Sequence, residues 1–281
     1  VPNQDGAGVV DAVGEGVADF EVGQRVWVWD AAWQRSEGTA QEYVVLPVAQ
    51  VVPLPDGGSY DAGASLGIPA LTAHRALTCW EAGPAQLAPG LLSGVTVLVA
   101  GGAGAVSHAA IQLARWAGAT VVTTVSSDEK GALARAAGAE HIINYRSEDV
   151  VSRVGEIAPG GADVVVEVNA AANLDLDVEL LAANGTIAIY TGESADALPV
   201  PVRPSMGKNI RYQFILTYTT SEAQKQAAVR AVSAALADGA LAVGDDTGLP
   251  LTRFALAETA AAHDAVEGAA VGKVLIDVTP A

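Results

Sequence analysis

Short apolar segments recur roughly every 20 to 25 residues through the middle of this chain, with segments of helical pattern between most of them. These predicted strands are Thr96–Ala100, Thr120–Val125, His141–Asn144, Asp163–Val168, Thr186–Tyr190 and Arg211–Tyr218. Strands that alternate with helices form βαβ units and a parallel sheet. Continuous apolar strands are typical of sheets with helices on both faces. The sequence therefore predicts an α/β fold built around a doubly wound parallel sheet.

Both ends of the chain have a different pattern. Short β-branched and aromatic runs are separated there by turns that contain glycine, which predicts small sheets. Ser221, followed by the acidic Glu222, is the predicted N-cap of an Ala-rich helix that ends near Gly239. The other predicted elements of the two ends are strands at Gly8–Val13, Arg25–Trp29, Ala40–Leu46, Leu249–Thr252 and Val274–Val278, and a helix from Ala257 to Glu267.

The composition excludes several classes of function. Hydrophobic residues make up 51% of the 281 residues and charged residues 17%, which is enough apolar material for a sizeable core. The net charge of −17 argues against a nucleic-acid-binding surface or a polybasic membrane patch. The single cysteine, Cys79, excludes an internal disulfide and a cysteine-based zinc site. Because no apolar run reaches the roughly 20 residues of a membrane span and no signal peptide is visible, we expect a soluble cytoplasmic protein.

A glycine-rich turn joins the first predicted strand of the middle region to a helix. Gly102 and Gly104 occupy the first two positions of a G-x-G-x-x-G pattern, and Ser107 stands where the third glycine is expected. Small residues let the backbone approach a pyrophosphate that lies at the helix N-terminus. Placed between a strand and a helix, the pattern predicts a dinucleotide site; the alternative is a tight turn without a ligand.

The end of the second strand indicates which dinucleotide is bound. Sites that prefer NAD place an acidic residue there for the ribose 2′-hydroxyl, but this strand ends at Ser126, and Asp128 follows slightly late. Lys130 lies about one helical turn after Ser126, and Tyr145 follows the neighbouring predicted strand. A hydroxyl, a cation and a phenol suit a 2′-phosphate, so we predict NADPH. The alternative is an N-cap serine beside a solvated lysine.

A set of short motifs runs along nearly the whole chain. They are Asp5–Val10, Val13–Val17, Val22–Val26, Thr39–Tyr43, Ile68–Ala73, the glycine-rich turn, Ser126–Lys130, Gly138–Ala139, Asn144–Arg146 and Gly272–Leu275. In these residues and in their order, the chain resembles the medium-chain dehydrogenase/reductase superfamily, and within it the zinc-free, zeta-crystallin-like quinone oxidoreductases.

The resemblance implies a Rossmann dinucleotide-binding domain and a GroES-like β-barrel domain formed by both chain ends. We expect the GroES-like part in residues 1–70, the Rossmann domain in 71–220, and the return to the catalytic domain in 221–281. The family's first several tens of residues, which precede its counterpart of Asp5, have no match here, so we expect an N-terminal segment to be missing. In the family, the strand that contains Phe214 and Leu216 forms the dimer edge, which implies a homodimer.

Cofactor-binding residues are also implied by the resemblance. They are Thr72, Gly102, Gly104, Ala105, Val106, Ser126, Lys130, Tyr145, Asn169, Tyr190, Thr191, Gly192, Phe214, Leu216, Gly272 and Lys273. The family usually has glycine where Ala105 and Ser107 stand. For Phe214 and Leu216, simple core packing is an equally good interpretation.

No metal site is expected. Gln4 stands where zinc members of the superfamily carry a histidine, and the four histidines of the chain have no ligand spacing. Asn3, Gln4 and Asp5 face the cleft in relatives and are weak candidates for a catalytic role. Trp33, in a loop, is a candidate cap for a flat aromatic acceptor; the alternative is that it is incidental beside the barrel tryptophans.

The resemblance implies a zinc-independent, NADPH-dependent oxidoreductase that transfers hydride to a quinone or a similar conjugated carbonyl. An enone or enoyl reductase on the same fold is one alternative. A non-catalytic NADPH-binding redox sensor or structural protein is another. No nucleic acid or membrane partner is expected.

Overall fold

The computed structural model describes residues 1–192 and 197–278. Its first elements are the strands β1 (Gly6–Val9), β2 (Arg25–Val28) and β3 (Val51–Pro53), followed by the long helix α1 (Tyr60–Thr78). The three strands form an antiparallel sheet in the order β1-β2-β3. The predicted β-rich start of the chain is therefore confirmed.

The segment Ala40–Leu46, predicted as a strand, has no regular secondary structure, and that prediction is wrong. No strand in the described residues pairs with it, and the carbonyl of Val45 instead accepts a hydrogen bond of 2.7 Å from the Arg35 guanidinium. The side chains of Tyr43 and Val45 are largely exposed. Aromatic and β-branched residues favour a strand where they pack against a neighbouring strand, and this segment has no such neighbour.

The middle of the chain alternates between strands and helices, as predicted. In chain order the elements are β4 (Thr96–Val99), α2 (Ala105–Trp116), β5 (Thr120–Val125), α3 (Asp128–Ala136), β6 (His141–Asn144), α4 (Val150–Ile157), β7 (Ala162–Glu167), α5 (Ala170–Leu180), β8 (Leu181–Ile189), α6 (Val202–Lys208) and β9 (Arg211–Phe214). The strand β8 begins earlier than expected. The strand β9 ends before the predicted Tyr218, because a short 3-10 helix, Thr217–Thr219, follows it.

The strands β4 to β9 form one parallel sheet in the order β6-β5-β4-β7-β8-β9. The chain builds outward from β4 to β6, returns to the other side of β4 with β7, and then builds outward in the opposite direction. The carboxyl ends of β4 and β7 are therefore a topological switch point, which is where doubly wound sheets bind ligands. This topology confirms the predicted α/β fold.

Helices cover both faces of the sheet, and successive strand residues face opposite sides. Val97 and Val99 of β4 pack in one buried cluster with residues of α1 and α2. Leu98, between them, packs on the other face with Val154 of α4 and Leu174 of α5. Burial of each such side chain contributes roughly 1.5–3 kcal/mol, so the central strand is anchored from both sides.

The C-terminal part contains α7 (Glu222–Ala237), β10 (Leu251–Ala255), α8 (Thr259–Glu267) and β11 (Lys273–Asp277). Ser221 caps α7 as predicted, in a capping box with Gln224. The helix α7 packs against α1, while β10 and β11 form a parallel pair. In the described residues, no helix is both long and apolar enough to cross a membrane.

The predicted domain boundaries stay predictions. The first boundary, between residues 70 and 71, lies inside α1, which packs against β1 and β2 on one side and against α2 and α7 on the other. This helix therefore joins the N-terminal sheet to the parallel sheet.

Candidate functional site

A cleft of about 740 Å³ opens at the carboxyl ends of β7, β8 and β9. It brings together six of the predicted cofactor-binding residues, namely Asn169, Tyr190, Thr191, Gly192, Phe214 and Leu216. Its other lining residues include Val168 after β7 and Thr219 after β9. Because this is the side of the sheet where the switch point lies, the cleft is the first candidate for a ligand site.

Phe214 and Leu216 are not core residues. Phe214 is 62% exposed and Leu216 50% exposed, and both line the cleft. The core-packing interpretation of these two residues is therefore wrong, because β9 is the last strand of the sheet and its edge is open.

The glycine-rich turn between β4 and α2 fits a pyrophosphate. A Cβ atom on Gly102 would collide with the Thr123 hydroxyl, which donates a hydrogen bond of 2.7 Å to Val99. A Cβ atom on Gly104 would meet no atom nearer than 3.7 Å, so the surface there is open. Gly104 is also the N-cap of α2 and carries no capping side chain. The N–H groups of the first helical turn, which have no intrahelical partners, are thus available to an anion.

Ser107, the departure from the glycine pattern, has a defined environment. Its side chain is buried, and its hydroxyl donates a hydrogen bond of 3.0 Å to the carbonyl of Ala100 at the end of β4. The Tyr190 hydroxyl lies 3.3 Å from the same Oγ atom. Burial raises the pKa of Tyr190 to about 12, and the Ser107 hydroxyl opposes that rise. Ala105 and Val106 are partly exposed in the same turn.

Ser126 follows β5, Tyr145 follows the neighbouring strand β6, and Lys130 lies in the first turn of α3. The N–H of Tyr145 donates to the carbonyl of Val125 at 3.1 Å, which places Tyr145 beside the end of β5. The N-cap of α3 is Ser127, which accepts the N–H of Lys130, so Ser126 is not the capping serine. Within residues 1–192 and 197–278, no carboxylate lies within ion-pair distance of the Lys130 ammonium.

The acidic residue closest to the position typical of NAD sites is already engaged. Asp128 accepts a hydrogen bond of 3.0 Å from the side-chain amide of Asn144 at the end of β6. That bond directs Oδ1 of Asp128 toward β6.

A buried acidic pair, Glu167 and Asp177, lies behind the cleft, and sequence analysis did not single it out. Glu167 is the last residue of β7 and fully buried, and its Oε1 accepts the N–H of Asn169 and, at 3.0 Å, the amide of Asn173. Asp177 lies one helical turn beyond Asn173 on α5. Burial raises the pKa of both carboxyl groups, that of Asp177 to about 9, where the neighbouring Glu167 also disfavours ionisation. The spacing of Asn173 and Asp177 on one helix face is the signal that could have found them.

The three weak catalytic candidates each make a structural hydrogen bond. Asn3 meets the His263 ring at 3.1 Å, and Gln4 accepts the N–H of Ala32 at 2.9 Å. Asp5 accepts the N–H of Ile68 at 2.9 Å, at the point where Gly67 breaks the helical path of α1. Burial raises the pKa of Asp5, although the positive charge of Lys273 opposes the rise. A catalytic role for these residues stays a prediction.

Trp33 lies flat against an aromatic side chain that sequence analysis missed. Its ring stacks on Tyr218 with centroids 4.5 Å apart and planes 9° from parallel. Burial raises the pKa of Tyr218 to about 12, with a smaller contribution from the carboxylates Asp5 and Asp30. Asp30 is buried as well and lies 3.9 Å from the Lys225 ammonium. Trp33 is therefore placed near Tyr218 between the N-terminal sheet and β9, rather than free in solvent.

Three further predicted cofactor residues have contacts within the protein. Thr72 of α1 is buried, and its hydroxyl lies 2.5 Å from that of Thr217, just after β9. Gly272 has a positive φ of 96°, and a Cβ atom there would collide with the carbonyl of Pro250. Lys273 follows at the start of β11, close enough to Asp5 to affect its charge. Their contact with a cofactor stays a prediction.

The buried histidines and the cysteine have structural partners. The Nε2 atom of His74 accepts the N–H of Leu87 at 3.2 Å, and Nε2 of His108 lies 2.8 Å from the carbonyl of Thr247. Burial lowers the pKa of His74 to about 4 and also lowers that of His108. Burial raises the pKa of Cys79 to about 11, which keeps it a thiol. In the part of the chain that the structure describes, no three His, Cys, Asp or Glu side chains gather as a metal site requires.

Comparison with known proteins gives matches at both levels of sequence and structure. A family model described as Zinc-binding dehydrogenase matches residues 105–234, and one described as Alcohol dehydrogenase GroES-like domain matches residues 1–56. A quinone oxidoreductase from Homo sapiens is 28% identical over 279 residues, which cover 98% of this chain and 79% of that protein.

Solved structures are also similar to this chain over nearly its whole length. The structure of mycobacterial Rv1454c complexed with NADPH is 28% identical and has a TM-score of 0.78, covering 98% of this chain and 81% of that one. A structure of an NAD-dependent alcohol dehydrogenase is 27% identical and has a TM-score of 0.82, covering 98% of this chain and 82% of that one. Both nicotinamide dinucleotides thus occur in the names of similar proteins.

Proposed function

Because the chain belongs to the medium-chain dehydrogenase/reductase family, as an oxidoreductase of the zeta-crystallin-like quinone oxidoreductase kind, we propose that it is an NADPH-dependent, zinc-independent reductase of quinones or similar conjugated carbonyls. The observation that carries the proposal is the position of the open Gly104 surface at the switch point, beside a cleft of about 740 Å³. A dinucleotide with its pyrophosphate at α2 would place its nicotinamide half toward that cleft.

The residues of the chain bind, orient and exclude water, and NADPH when bound supplies the hydride. The first turn of α2 holds the pyrophosphate through its N–H groups. Tyr190, Phe214 and Leu216 form apolar walls of the cleft, and Trp33 with Tyr218 forms a flat aromatic surface nearby. A flat, electron-poor acceptor suits such a surface because aromatic rings stack with an offset. Holding donor and acceptor in contact supplies much of the rate enhancement in such a reaction.

The preference for NADPH over NADH rests on Lys130. Its ammonium is without an ion-pair partner in the described ranges, at the end of the strand where the adenosine ribose lies in this fold. Ser126 and Tyr145 supply hydroxyl groups just after β5 and β6, and Oδ1 of Asp128 accepts a hydrogen bond from Asn144. A 2′-phosphate would find a cation and hydroxyl groups in this region.

Zinc independence rests on the donor set. Gln4 occupies the position of the zinc-ligating histidine by resemblance, and its carboxamide is bonded to the N–H of Ala32. An amide of this kind is a poor zinc ligand compared with histidine or thiolate. We propose that the acceptor carbonyl is polarised by hydrogen bonds rather than by a metal.

The proposed enzyme acts as a homodimer through the open edge of β9 and is located in the cytoplasm. An exposed edge strand with apolar side chains such as Phe214 and Leu216 needs cover, which a second copy supplies.

NADPH oxidation by the purified protein tests the proposed function. We expect oxidation that depends on a simple quinone such as 1,4-benzoquinone and is unchanged by a metal chelator. Oxidation of NADPH with an enone but not with any quinone would instead identify the protein as an enone reductase. Binding of NADPH without turnover on either acceptor class would refute the catalytic proposal and favour a binding protein.

A further inference from the structure

Ser107 and Tyr190 lie on opposite sides of the switch point and meet behind the cleft. Ser107 belongs to the first turn of α2 and is 1% exposed. Tyr190 follows β8 directly, and its side chain lines the cleft. One hydroxyl pair thus connects the helix that begins at the glycine-rich turn with the wall of the cleft.

The directions of the two hydrogen bonds follow from the chemistry of the hydroxyl group. A serine hydroxyl has one proton and two acceptor positions. Because Ser107 gives its proton to the carbonyl of Ala100 at 3.0 Å, the Tyr190 hydroxyl must be the donor to Ser107 at 3.3 Å. Ala100 is itself fixed to the sheet, since its N–H donates to the carbonyl of Val166 at 3.0 Å. The chain of bonds runs from Tyr190 through Ser107 to the end of β4.

A glycine at position 107 would remove the acceptor of the Tyr190 hydroxyl. A buried hydroxyl without a partner is costly, so the Tyr190 ring would move out of its present position. Serine in place of the third glycine of the pattern and tyrosine at the end of β8 therefore depend on each other. The departure from the pattern is compensated within the chain.

We propose that Ser107 is a positioning residue for the dinucleotide: its hydroxyl orients the Tyr190 ring, and that ring forms the wall against which the nicotinamide half of the cofactor lies. The inference rests on the proposed function, because it requires a nicotinamide dinucleotide in the cleft. Ser107 itself does not touch the cofactor. An oriented wall lowers the ordering cost of binding, so its loss appears as weaker affinity.

The dissociation constant of NADPH, measured by titration of the purified full chain, tests this inference with Ser107→Ala, Tyr190→Phe and the double variant. Each single variant is expected to raise the dissociation constant about fivefold, the effect of losing one ordinary hydrogen bond. The double variant is expected to show no more than the larger single effect, because both substitutions remove the same bond. Binding of 2′,5′-ADP, which lacks the nicotinamide half, is expected to stay unchanged in all three.

The chain offers a matched control pair. The hydroxyl groups of Ser205 in α6 and Tyr212 in β9 lie 2.5 Å apart, and neither residue lines the cleft. Ser205→Ala and Tyr212→Phe remove the same kind of bond elsewhere. They are expected to lower the melting temperature about as much as the test variants do and to leave the dissociation constant of NADPH unchanged.

The outcomes separate the inference from the proposed function. If the unaltered protein binds neither NADPH nor NADH, the proposed function fails, and the inference fails with it. If it binds NADPH but Tyr190→Phe, which deletes one oxygen atom, leaves the affinity unchanged, the inference alone is overturned. Additive effects in the double variant, equal weakening of 2′,5′-ADP, or equal weakening by the control pair would also overturn it.

Discussion

The substitution Asp177→Asn removes one titratable group from the buried carboxyl pair and keeps its size. In the unaltered protein, Oε2 of Glu167 and Oδ2 of Asp177 are buried and receive no hydrogen bond from any other described residue, so the two carboxyl groups are paired with each other. A proton held by the pair reduces the cost of burying two acids, and burial keeps the pKa of Asp177 at about 9. An asparagine at this position supplies a neutral donor to Glu167 instead, so the variant needs no such proton.

The expected size of the effect follows from proton linkage. An unfolded aspartic acid, with a pKa near 3.8, holds no proton above pH 7, whereas the folded pair holds one until the pH nears 9. The folded state thus binds one more proton, and the free energy of unfolding falls by about 1.4 kcal/mol for each pH unit. From pH 7 to 8.5 this amounts to about 2 kcal/mol, or roughly 4–8 °C of melting temperature for a chain of this length.

Thermal unfolding of both proteins between pH 7 and 8.5 measures the difference. We expect the melting temperature of the unaltered protein to fall with pH more steeply than that of Asp177→Asn. Other titrating groups, such as His74 and His108, are the same in both proteins and cancel in the comparison. Asp175→Asn, at an exposed position of the same helix, serves as the control and should keep the steep slope. Parallel curves for the unaltered protein and Asp177→Asn would refute the shared-proton interpretation.

Three further predictions concern the cofactor, the acceptor and the assembly. Lys130→Ala is expected to weaken NADPH binding about tenfold and NADH binding little, because it removes one charge-assisted contact; equal weakening in titrations of both would contradict the 2′-phosphate assignment. Trp33→Ala is expected to raise the acceptor KM severalfold through loss of the stacked surface with Tyr218, and unchanged KM values with several quinones would contradict that role. Phe214→Asp is expected to convert a dimer into a monomer in sedimentation experiments, since a charge disfavours an apolar edge; a monomeric unaltered protein would remove the dimer proposal.

The parallel sheet could be predicted from the sequence because its signals are local. Thr96–Val99 and Thr120–Val125 consist of valine, leucine and threonine, each followed by a helical pattern, and such runs are typical of buried parallel strands. The glycine-rich turn was likewise predictable, because Gly102 and Gly104 stand close together in the chain between a predicted strand and a predicted helix. In both cases the information lies within a few residues.

The prediction of a strand at Ala40–Leu46 was wrong because strand formation also depends on a partner from elsewhere in the chain. Its residue types favour a strand, but a strand exists only when another segment takes its backbone hydrogen bonds. Here the Arg35 side chain bonds the carbonyl of Val45. The partner of an edge segment is chosen by the tertiary fold, which the local pattern does not contain.

Two of the contacts that sequence analysis missed join residues far apart in the chain. Ser107 and Tyr190 are 83 residues apart, and Thr72 and Thr217 are 145 apart. Each residue alone has an ordinary interpretation, as a tolerated small residue or a threonine in a helix. In the local pattern Ser107 only replaces the third glycine, whereas the acceptor that it offers Tyr190 exists only after β8 is placed beside β7. In a doubly wound sheet the residues at the switch point come from strands on both sides of it, so the wall of the cleft is set by contacts that no local pattern specifies.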